Sequence, residues 1–417
     1  MDGGGSMTDF DVIVIGGGPA GLAASVELRK LGSSKVLIIE REKALGGIPR
    51  HCHHTGFGWF DLGRILSGPA YAKKRAMLAE RAGVSLLTET TALNFPNEQT
   101  IRTTGPSGIR EISARAFLLA TGCRERPRSA RLVAGSRPAG VFTTGSLQQT
   151  VYFNRQKAGT RAVIIGAEHV SFSALHTLVT TGTEVSALVT EYPKHQTYSA
   201  FRFLTASRYR VPIFCNSRIV QIHGHSRVES VEIEDIGSGK FQKIPCDTVV
   251  FTGDWIPDHD VARRAGLMLD EGTRGPSIDE RFQTSRRGFF AAGNLLRGAE
   301  MADTVALEGK RAARSIYQFL CGEESYPTIV LKRDLNVLWI SPNRLSLRNK
   351  RFISPFVFRT RKLFRQGRLE VFCGKQWIYQ EFYRRLIPNR SYRCSGSWAR
   401  GLETTENVSI LLRGEIL

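Results

Sequence analysis

The sequence lacks the features that mark membrane-spanning, secreted and disulfide-rich proteins. No run of about 18 apolar residues occurs, so no transmembrane segment is predicted. The apolar stretch 10–24 is broken by glycines and follows an aspartate rather than a basic region, and we therefore expect no signal peptide. The seven cysteines never occur as C-x-x-C, which argues against a disulfide framework, a zinc ribbon and a ferredoxin-type cluster. A reducing cytoplasm fits this pattern best.

Acidic residues are also scarce, above all near the C-terminus. The chain has 58 Lys and Arg against 38 Asp and Glu, a net charge of +20. From residue 328 onward, 18 basic and 6 acidic residues give +12 of this total within the last 90 residues. This charge suits nucleic acid, an anionic membrane surface or an acidic partner, and a solvated basic face explains it equally well. No RNP, zinc-finger or helix-turn-helix pattern is present, so we expect no nucleic acid, and a peripheral position at the inner membrane surface remains an alternative.

What the chain does contain is a unit of strand, glycine turn, helix and strand that occurs twice. The first unit has a strand at 12–15, a helix at 20–31 and a strand at 36–39. The second begins at Arg161, turns at Gly166 and ends in a strand at 185–189. A helix between two apolar strands predicts a parallel sheet. We therefore predict an α/β protein with two Rossmann-like dinucleotide-binding domains, the second inserted in the first.

The remaining segments complete the predicted domain organisation. A helix at 302–320 returns the chain to the first domain, and after residue 326 short alternating runs rich in Arg and aromatics indicate a small C-terminal β domain. The predicted bounds are 7–130 for the first part of the first Rossmann-like domain, 131–248 for the inserted Rossmann-like domain, 249–325 for the second part of the first domain, and 326–417 for the basic C-terminal β domain.

The clearest motif is the first glycine turn. Gly16, Gly18 and Gly21 follow a strand and open a helix through Pro19 and Ala20, and Glu40 ends the next strand. Such glycines permit a tight turn, the approach of a pyrophosphate to the helix N-terminus, and close helix packing, while the acid binds a ribose hydroxyl. The motif predicts a dinucleotide site, with Arg41 beside Glu40 as a further contact.

Three separated segments resemble those of the glutathione-reductase-like flavoproteins. They are the first glycine turn, Ala120-Thr121-Gly122, and the run from Gly288 to Asn294. The resemblance implies that the dinucleotide is FAD. Asn294 stands where the superfamily usually has an aspartate that binds the flavin ribityl and phosphate region, and an amide still hydrogen-bonds a hydroxyl.

A narrower resemblance is to the flavin subunit of hetero-oligomeric dehydrogenases that act on opines, hydroxyproline or glycine, the last being the hydrogen cyanide synthases. It rests on the runs 46–52, 56–58 and 68–72, and on 293–298 with Glu300, Ala302 and Asp303. It implies an electron-relaying subunit beside a second flavoprotein that oxidises a small molecule. The implied cofactor contacts, beyond those of the first turn, are Gly47, Ile48, Arg50, His51, Thr121, Gly122, Gly293, Asn294, Ala302 and Asp303.

Two departures from that resemblance change the expected cofactors. The last 90 residues hold only Cys373 and Cys394, too few for the [2Fe-2S] domain of many such subunits, so an iron-sulfur cluster belongs to a separate protein or is absent. In the second glycine turn Glu168 and Ser171 replace the second and third glycines. A carboxylate there repels a pyrophosphate, which makes NAD(P) binding doubtful.

The histidine and cysteine cluster at 51–54 supplies the candidate catalytic residues. The redox cysteines of disulfide reductases would fall at Pro49 and His54, so Cys52 has no partner and dithiol chemistry is not expected. Adjacent residues rarely converge on one ion, and we expect no metal. His51 and Cys52 remain candidates, against the alternatives of a structural histidine and a packing cysteine.

These features predict a FAD-dependent oxidoreductase, the electron-relaying subunit of a dehydrogenase for a small amine, amino acid or hydroxy acid. The alternatives are a stand-alone NAD(P)H- or quinone-linked flavin reductase and a FAD-containing docking module. Arginines mixed with aromatics are enriched at interfaces, so the C-terminal domain is the predicted docking surface for the second flavoprotein. The aromatics concerned are Trp339, Phe352, Phe356, Phe358, Trp377, Tyr379 and Tyr383.

Overall fold

The structure is a computed structural model that describes residues 8–197, 209–323, 326–347, 355–400, 402 and 406–416. Over the described residues up to 119, the chain forms eight strands and three α-helices. In order these elements are β1 (Phe10–Ile15), α1 (Pro19–Leu31), β2 (Val36–Ile39), β3 (Thr55–Phe57), α2 (Trp59–Leu62), β4 (Leu66–Ser67), α3 (Gly68–Arg81), β5 (Ser85–Leu87), β6 (Thr91–Asn94), β7 (Thr100–Gly105) and β8 (Gly108–Leu119). A 3-10 helix, Ile48–His51, lies between β2 and β3.

The segment from residue 123 to 264 is built around a second group of strands. Its elements are β9 (Cys123–Glu125), β10 (Ala134–Gly135), β11 (Val141–Thr143), α4 (Thr144–Tyr152), β12 (Arg161–Ile165), α5 (His169–Thr180), β13 (Glu184–Val189), β14 (Ile213–Phe214), β15 (Ser217–His223), β16 (Ser230–Asp235), β17 (Phe241–Pro245), β18 (Thr248–Phe251), β19 (Trp255–Pro257) and α6 (Asp260–Arg264).

The last part of the chain returns to the first sheet and then forms a strand-rich region. It consists of β20 (Phe289–Ala291), α7 (Ala302–Leu320), β21 (Thr328–Val330), β22 (Lys332–Arg333), β23 (Val337–Ser341), β24 (Arg344–Ser346), β25 (Phe356–Thr360), β26 (Phe364–Cys373), β27 (Gln376–Tyr383), β28 (Tyr392–Cys394) and β29 (Val408–Ile416). Further 3-10 helices are Arg128–Arg131, Gly293–Leu295 and Ser397–Ala399.

The first sheet has the strand order β5-β2-β1-β8-β7-β6. The C-terminal end of β8 also pairs with β20, on the side opposite β1. Strands β5, β2, β1, β8 and β20 are parallel, so Ile15, Ile39, Leu119 and Ala291 end at one edge. These strands are apolar runs because both faces of a parallel sheet are covered. Helices α1 and α7 cross so closely that a Cβ on Gly309 would lie 2.1 Å from the Ala20 carbonyl oxygen.

The inserted region has its own parallel sheet, with the order β11-β18-β12-β13-β14. One face packs on α4 and α5, and the other packs on a second sheet of order β10-β15-β16-β17. Strand β18 lies between β11 and β12. The sequence placed residues from 249 onward in the first domain, whereas in the structure the chain leaves the inserted sheet only after Phe251. The predicted fold class, with one Rossmann-like unit inserted in another, is confirmed.

The C-terminal region is a β domain, as predicted, but most of its aromatic side chains face inward. Phe356 and Phe358 are buried in a core shared by β23, β25, β26 and β29, and Trp339 is buried beneath the guanidinium groups of Arg297 and Arg359. Tyr379 and Tyr383 pack partly against this core, and Trp377 is exposed. Phe352 lies outside the described residues. The expectation that these aromatics form a docking surface is therefore wrong for the three buried ones, because the small domain needs them for its own core.

Polar contacts join the C-terminal domain to the first domain. Arg359 donates from Nη2 to the Ala299 carbonyl oxygen at 2.8 Å and to Glu300 Oε1 at 3.0 Å. Asn343 Oδ1 accepts from the Ile278 backbone at 2.9 Å. The β domain is thus anchored beside the segment that follows β20. Within the part of the chain that the structure describes, no helix combines the length and apolar character that crossing a membrane requires.

Candidate functional site

The first glycine turn connects β1 to the N-terminus of α1 at the carboxyl edge of the first sheet. Gly16 has φ +110°, and a Cβ there would lie 2.4 Å from the Ala120 carbonyl oxygen, so only glycine fits. A Cβ on Gly21 would lie 2.0 Å from the Gly16 carbonyl oxygen, which explains the third glycine of the motif. At Gly18 a Cβ would meet nothing within 4 Å, so open space lies in front of the helix.

The helix that begins at Pro19 has no side-chain cap. Its N-cap residue is Gly18, and proline at the first position lacks the N–H that would otherwise need a partner. An uncapped helix N-terminus presents backbone N–H groups and a partial positive charge to the open space. This combination suits a phosphate, which the sequence placed at Gly18, Pro19 and Ala20.

Glu40 ties the end of β2 to the glycine turn. Its Oε2 accepts from the Gly17 N–H at 2.7 Å and its Oε1 accepts from the Glu42 N–H at 2.9 Å. Each carboxylate oxygen retains a second lone pair for a ribose hydroxyl. Arg41, a predicted cofactor contact, instead forms an exposed ion pair with Asp258 at 3.1 Å.

The segment after Glu40 lies against the same turn. Gly46 donates to the Gly17 carbonyl oxygen at 2.8 Å, and a Cβ on Gly47 would lie 3.1 Å from Gly18 Cα. Ile48 is exposed at the start of the 3-10 helix. The Arg50 guanidinium is directed elsewhere, since it donates to the Ala44 carbonyl oxygen at 3.0 Å and lies over the Phe153 ring.

The second predicted segment follows β8 at the same edge. Thr121 Oγ1 donates to the Asp258 carbonyl oxygen at 2.8 Å, which fixes the start of the link to the inserted region. Gly122 adopts φ +78°, and a Cβ there would again meet nothing within 4 Å. This residue borders free space beside the first glycine turn.

The third segment follows β20 and packs on α1. A Cβ on Gly293 would lie 2.8 Å from the Ala20 Cβ. Asn294 Oδ1 accepts from the Glu300 N–H at 3.0 Å, which closes the loop before α7. Ala302 opens α7, and both oxygens of Asp303 accept backbone N–H groups, from Gly58 at 2.7 Å and Phe60 at 3.1 Å. The main contacts of Asp303 therefore position the hairpin β3–β4.

Side by side, these segments have the chemistry that FAD requires. A Cβ on Gly18 or on Gly122 would meet nothing within 4 Å, and the uncapped N-terminus of α1 begins directly after Gly18. A carboxylate suited to the ribose and an amide suited to the ribityl chain stand next to it, at Glu40 and Asn294. The residues of these three segments therefore fit FAD.

His51 and Cys52 lie at the boundary between the first domain and the inserted region. His51 Nδ1 is 3.2 Å and Cys52 Sγ is 3.4 Å from Gln148 Oε1, and Gln148 Nε2 donates to Ser173 Oγ at 2.9 Å. Gln148 thus accepts from both, which leaves His51 Nε2 as an acceptor. Burial lowers the His51 pKa, and burial raises the Cys52 pKa to about 12, so both side chains are neutral near pH 7.

The neighbouring histidines point in different directions. The His53 ring stacks on Tyr152 with centroids 3.9 Å apart, and the His54 ring lies 5.2 Å from Phe57. Over the described ranges, no group of three or more His, Cys, Asp or Glu is arranged to hold a metal ion.

Glu125 is a site residue that the sequence did not reveal. Its Oε2 accepts from the Gly145 N–H at 2.7 Å, whereas its Oε1 is buried with no hydrogen-bond partner. Burial raises its pKa, and the hydrogen bond from Gly145 opposes this rise. Its charge acts directly on the Cys52 thiol. Its place three residues after Gly122 is the only sequence signal for it, and Gln148 on α4 has none.

The profile of the family described as pyridine nucleotide-disulphide oxidoreductase matches residues 10–309. The chain belongs to this family. The match spans both Rossmann-like units and ends within α7, which leaves the C-terminal β domain outside it. Members of the family are FAD-dependent oxidoreductases, and the chain is one of them.

Individual relatives are distant. Dihydrolipoyl dehydrogenase of Manduca sexta is 24% identical over 348 residues, which are 72% of this chain and 66% of that protein. An opine oxidase subunit of Agrobacterium tumefaciens is 26% identical over 340 residues, which are 74% of this chain and 65% of that protein. The chain thus spans about two thirds of the length of these relatives.

Solved structures share the fold. The crystal structure of T. acidophilum thioredoxin reductase superposes with a TM-score of 0.61 at 21% identity, over 75% of this chain and 99% of that one. At this identity the likeness concerns the fold alone, and the chemistry depends on the residues of this chain.

Proposed function

We propose that the protein is the electron-relaying FAD subunit of a hetero-oligomeric dehydrogenase that oxidises a small amine, amino acid or hydroxy acid. The observation that carries this proposal is the neutral Cys52 thiol beside the predicted flavin site, which has no second cysteine at the spacing of a redox pair. Cys52 is buried and bonded to Gln148, while Pro49 and His54 occupy the positions of a redox pair. A thiol with a pKa of about 12 is not a nucleophile near pH 7. Dithiol exchange, the reaction of one branch of this family, therefore has no residues to perform it.

The neighbouring residues suit proton transfer instead. The flavin, when bound, supplies the group that accepts and passes on electrons. Glu125 Oε1 is a buried acceptor without a partner, and the neutral His51 ring offers Nε2 as a second one. We assign Glu125 the proton that accompanies electron arrival, because burial raises the pKa of this carboxyl and so favours its protonated form, and because it lies close enough to Cys52 to act on that thiol.

The similarity to a protein named as one subunit of an opine oxidase supports an assembly of several chains. We place the contact with the second flavoprotein on the hairpin β3–β4 and its surroundings. Trp59, Phe60, Ile65 and Met301 are each more than half exposed there. Asp303 holds the backbone of Phe60, so this patch is rigidly attached beside the third flavin segment. Exposed aromatics on a fixed backbone are typical of interface hot spots, and a relay needs the partner cofactor close by.

Purification of the native complex tests the function. We expect a second flavoprotein chain, FAD in this chain, and reduction of this FAD by substrate only when the second chain is present. A separate iron-sulfur protein in the same complex would identify the electron acceptor. If the chain alone oxidised NADH or NADPH and passed the electrons to a quinone, the stand-alone reductase alternative would replace the proposal.

Matched variants test the docking face. Trp59→Ser with Phe60→Ser removes two exposed aromatics of the hairpin, and Trp377→Ser with Phe382→Ser removes two from the exposed face of β27. We expect the first pair to weaken assembly at least about 30-fold, or about 2 kcal/mol. The second pair should leave assembly unchanged. If instead the second pair weakened assembly and the first did not, the docking surface would lie on the C-terminal β domain.

A further inference from the structure

The second glycine turn, Gly166–Ser171, stands in the same place between β12 and α5 as the first turn does between β1 and α1. Its helix, however, is already capped. The N-cap residue is Glu168, whose backbone carbonyl oxygen accepts the Ser171 N–H at 3.1 Å, while Ser171 Oγ accepts the Glu168 N–H at 3.2 Å. Ser171 Oγ also lies 2.7 Å from Thr252 Oγ1. Where the first turn has open space, this turn has a carboxylate.

The carboxylate fills the cradle that a diphosphate would enter. A Cβ on Gly166 would lie 2.8 Å from Glu168 Oε2, and a Cβ on Gly253 would lie 2.9 Å from Glu168 Oε1. The side chain is therefore wedged between the ends of β12 and β18, and it is 9% exposed. Glu168 Oε1 is buried and has no hydrogen-bond partner. The positive end of α5 thus faces an anion that belongs to the chain itself.

The cationic side chains near this turn donate hydrogen bonds to backbone carbonyl oxygens of the chain itself. The Arg131 guanidinium, which interacts electrostatically with Glu168, donates from Nη2 to the Thr252 and Gly253 carbonyl oxygens at 3.0 and 2.8 Å. Burial, together with the charge of Arg390, lowers the pKa of His169 to about 4, so the first residue of α5 is neutral near pH 7. A bound diphosphate would therefore face the Glu168 carboxylate, while Arg131 Nη2 is directed to backbone carbonyl oxygens and His169 is neutral.

A strap formed by residues 194–197 covers the turn from outside. Gln196 donates its N–H to the Ala167 carbonyl oxygen at 2.9 Å, and Thr197 Oγ1 lies 2.6 Å from His169 Nδ1. Arg390 of the C-terminal domain holds this strap, because it donates to the Gln196 carbonyl oxygen at 2.8 Å and to that of Thr197. Gln196 and Thr197 are buried.

We infer that Glu168 from within and the strap from outside close the second dinucleotide turn, so that no nicotinamide nucleotide binds there. Many members of this family use NAD(P), and this chain does not have the residues for it. The inserted domain then serves as a rigid support for α4 and its Gln148. The inference concerns the chain's own residues and holds whichever partner supplies the electrons.

The test is a gain of binding in the FAD-loaded full chain. Dissociation constants for NADH and NADPH are measured by nucleotide fluorescence, and flavin bleaching is followed by anaerobic stopped flow. We expect the unmodified protein to show no saturable binding up to roughly 1 mM, the weak end of ordinary affinities. Glu168→Gln removes the charge and keeps the volume, Glu168→Gly removes both, and Arg390→Ala releases the strap.

The expected order of nucleotide affinity is Glu168→Gly with Arg390→Ala, then Glu168→Gly, then Glu168→Gln. The first should improve on the unmodified chain by at least about tenfold, since one like charge at the approach point disappears. Glu184→Gln, which removes an exposed charge at the other end of the inserted sheet, and Arg385→Ala are the controls and should gain nothing.

Two results would overturn the inference. One is saturable binding of either nucleotide by the unmodified chain below about 100 µM, or rapid bleaching of its flavin. The other is the absence of any gain in Glu168 variants that retain FAD and native circular dichroism. Assembly with a second flavoprotein is measured separately, so failure here leaves the proposed function standing, and failure there leaves this inference standing.

Discussion

The two glycine turns of this chain share a backbone plan and differ in what occupies the helix N-terminus. In the first turn Gly18 leaves the start of α1 uncapped and open. In the second, the N-cap residue is Glu168, and its carboxylate occupies the space beside the start of α5. A helix N-terminus attracts an anion in either case, and one residue decides whether that anion is a ligand or a side chain. A Rossmann-like fold therefore does not by itself imply a second nucleotide.

The largest effect is expected when Gly18 of the first turn is replaced by glutamate, the residue that the second turn has at the equivalent position, Glu168. Gly18→Glu should weaken FAD binding at least about 100-fold, or about 2.8 kcal/mol, because a carboxylate would enter the phosphate space. Gly18 has φ −80° and open surroundings, so the chain should still fold. The flavin-to-protein ratio and a FAD titration measure the effect. Gly18→Ala is the control with a small side chain, and equal loss in both variants would mean that volume rather than charge matters.

Removing Glu40 should have the next largest effect. Glu40→Ala takes away the ribose acceptor and the hydrogen bond to Gly17, and we expect FAD binding to weaken by about 1.5–3 kcal/mol. Isothermal titration of the FAD-free protein measures this loss. Glu42→Ala, a neighbouring exposed carboxylate, should change little, and an unchanged affinity in Glu40→Ala would show that another acid binds the ribose.

The second turn should respond in stability rather than in flavin binding. Glu168→Ala removes the negative charge at the N-terminus of α5 and is expected to lower the free energy of unfolding by about 0.3–1 kcal/mol, because that charge stabilises the positive end of the helix. Denaturant unfolding checks this value, with Glu184→Ala as the exposed control. FAD content should stay the same, and a loss of FAD from Glu168→Ala would contradict the separation of the two turns.

A smaller, pH-dependent effect is expected at Glu125, where the two domains meet. Because burial raises its pKa in the folded protein, the protonated form favours folding, and this contribution is lost as the pH rises from below 4.5 through the folded-state pKa. Glu125→Gln should therefore raise the melting temperature at pH 8 relative to the unmodified protein, with the difference vanishing near pH 4. A constant difference across this range would mean that Glu125 is ionised throughout.

Several features of the fold followed from local sequence patterns. The turn at Gly16–Gly21 with Glu40, the helix at 302–320 and the insertion of one Rossmann-like unit in the other are all confirmed by the structure. The replacement of a glycine by Glu168 pointed to a poor nucleotide turn. These patterns are readable because apolar periodicity and glycine geometry act over a few residues.

Other features depended on contacts between distant segments. The sequence could not show that Asp303 binds N–H groups of the hairpin or that Arg41 pairs with Asp258, and the cofactor contacts assigned to these two residues stay predictions. It treated Trp339, Phe356 and Phe358 as interface residues, although they are core. Glu125 and Gln148, 23 positions apart in the sequence, meet the 51–52 segment only through domain packing.

By itself, then, the sequence determined the α/β class and the glycine turn at 16–21, because each depends on residue types at short spacing. Only the tertiary structure decided which acids face a ligand and which cap a helix or hold a loop. It also revealed that Arg390 of the C-terminal domain donates hydrogen bonds to the strap at residues 194–197, which lies over the second turn. The sequence shows only that a residue is acidic. Which role its carboxylate takes depends on the N–H groups and the free space that folding places around it.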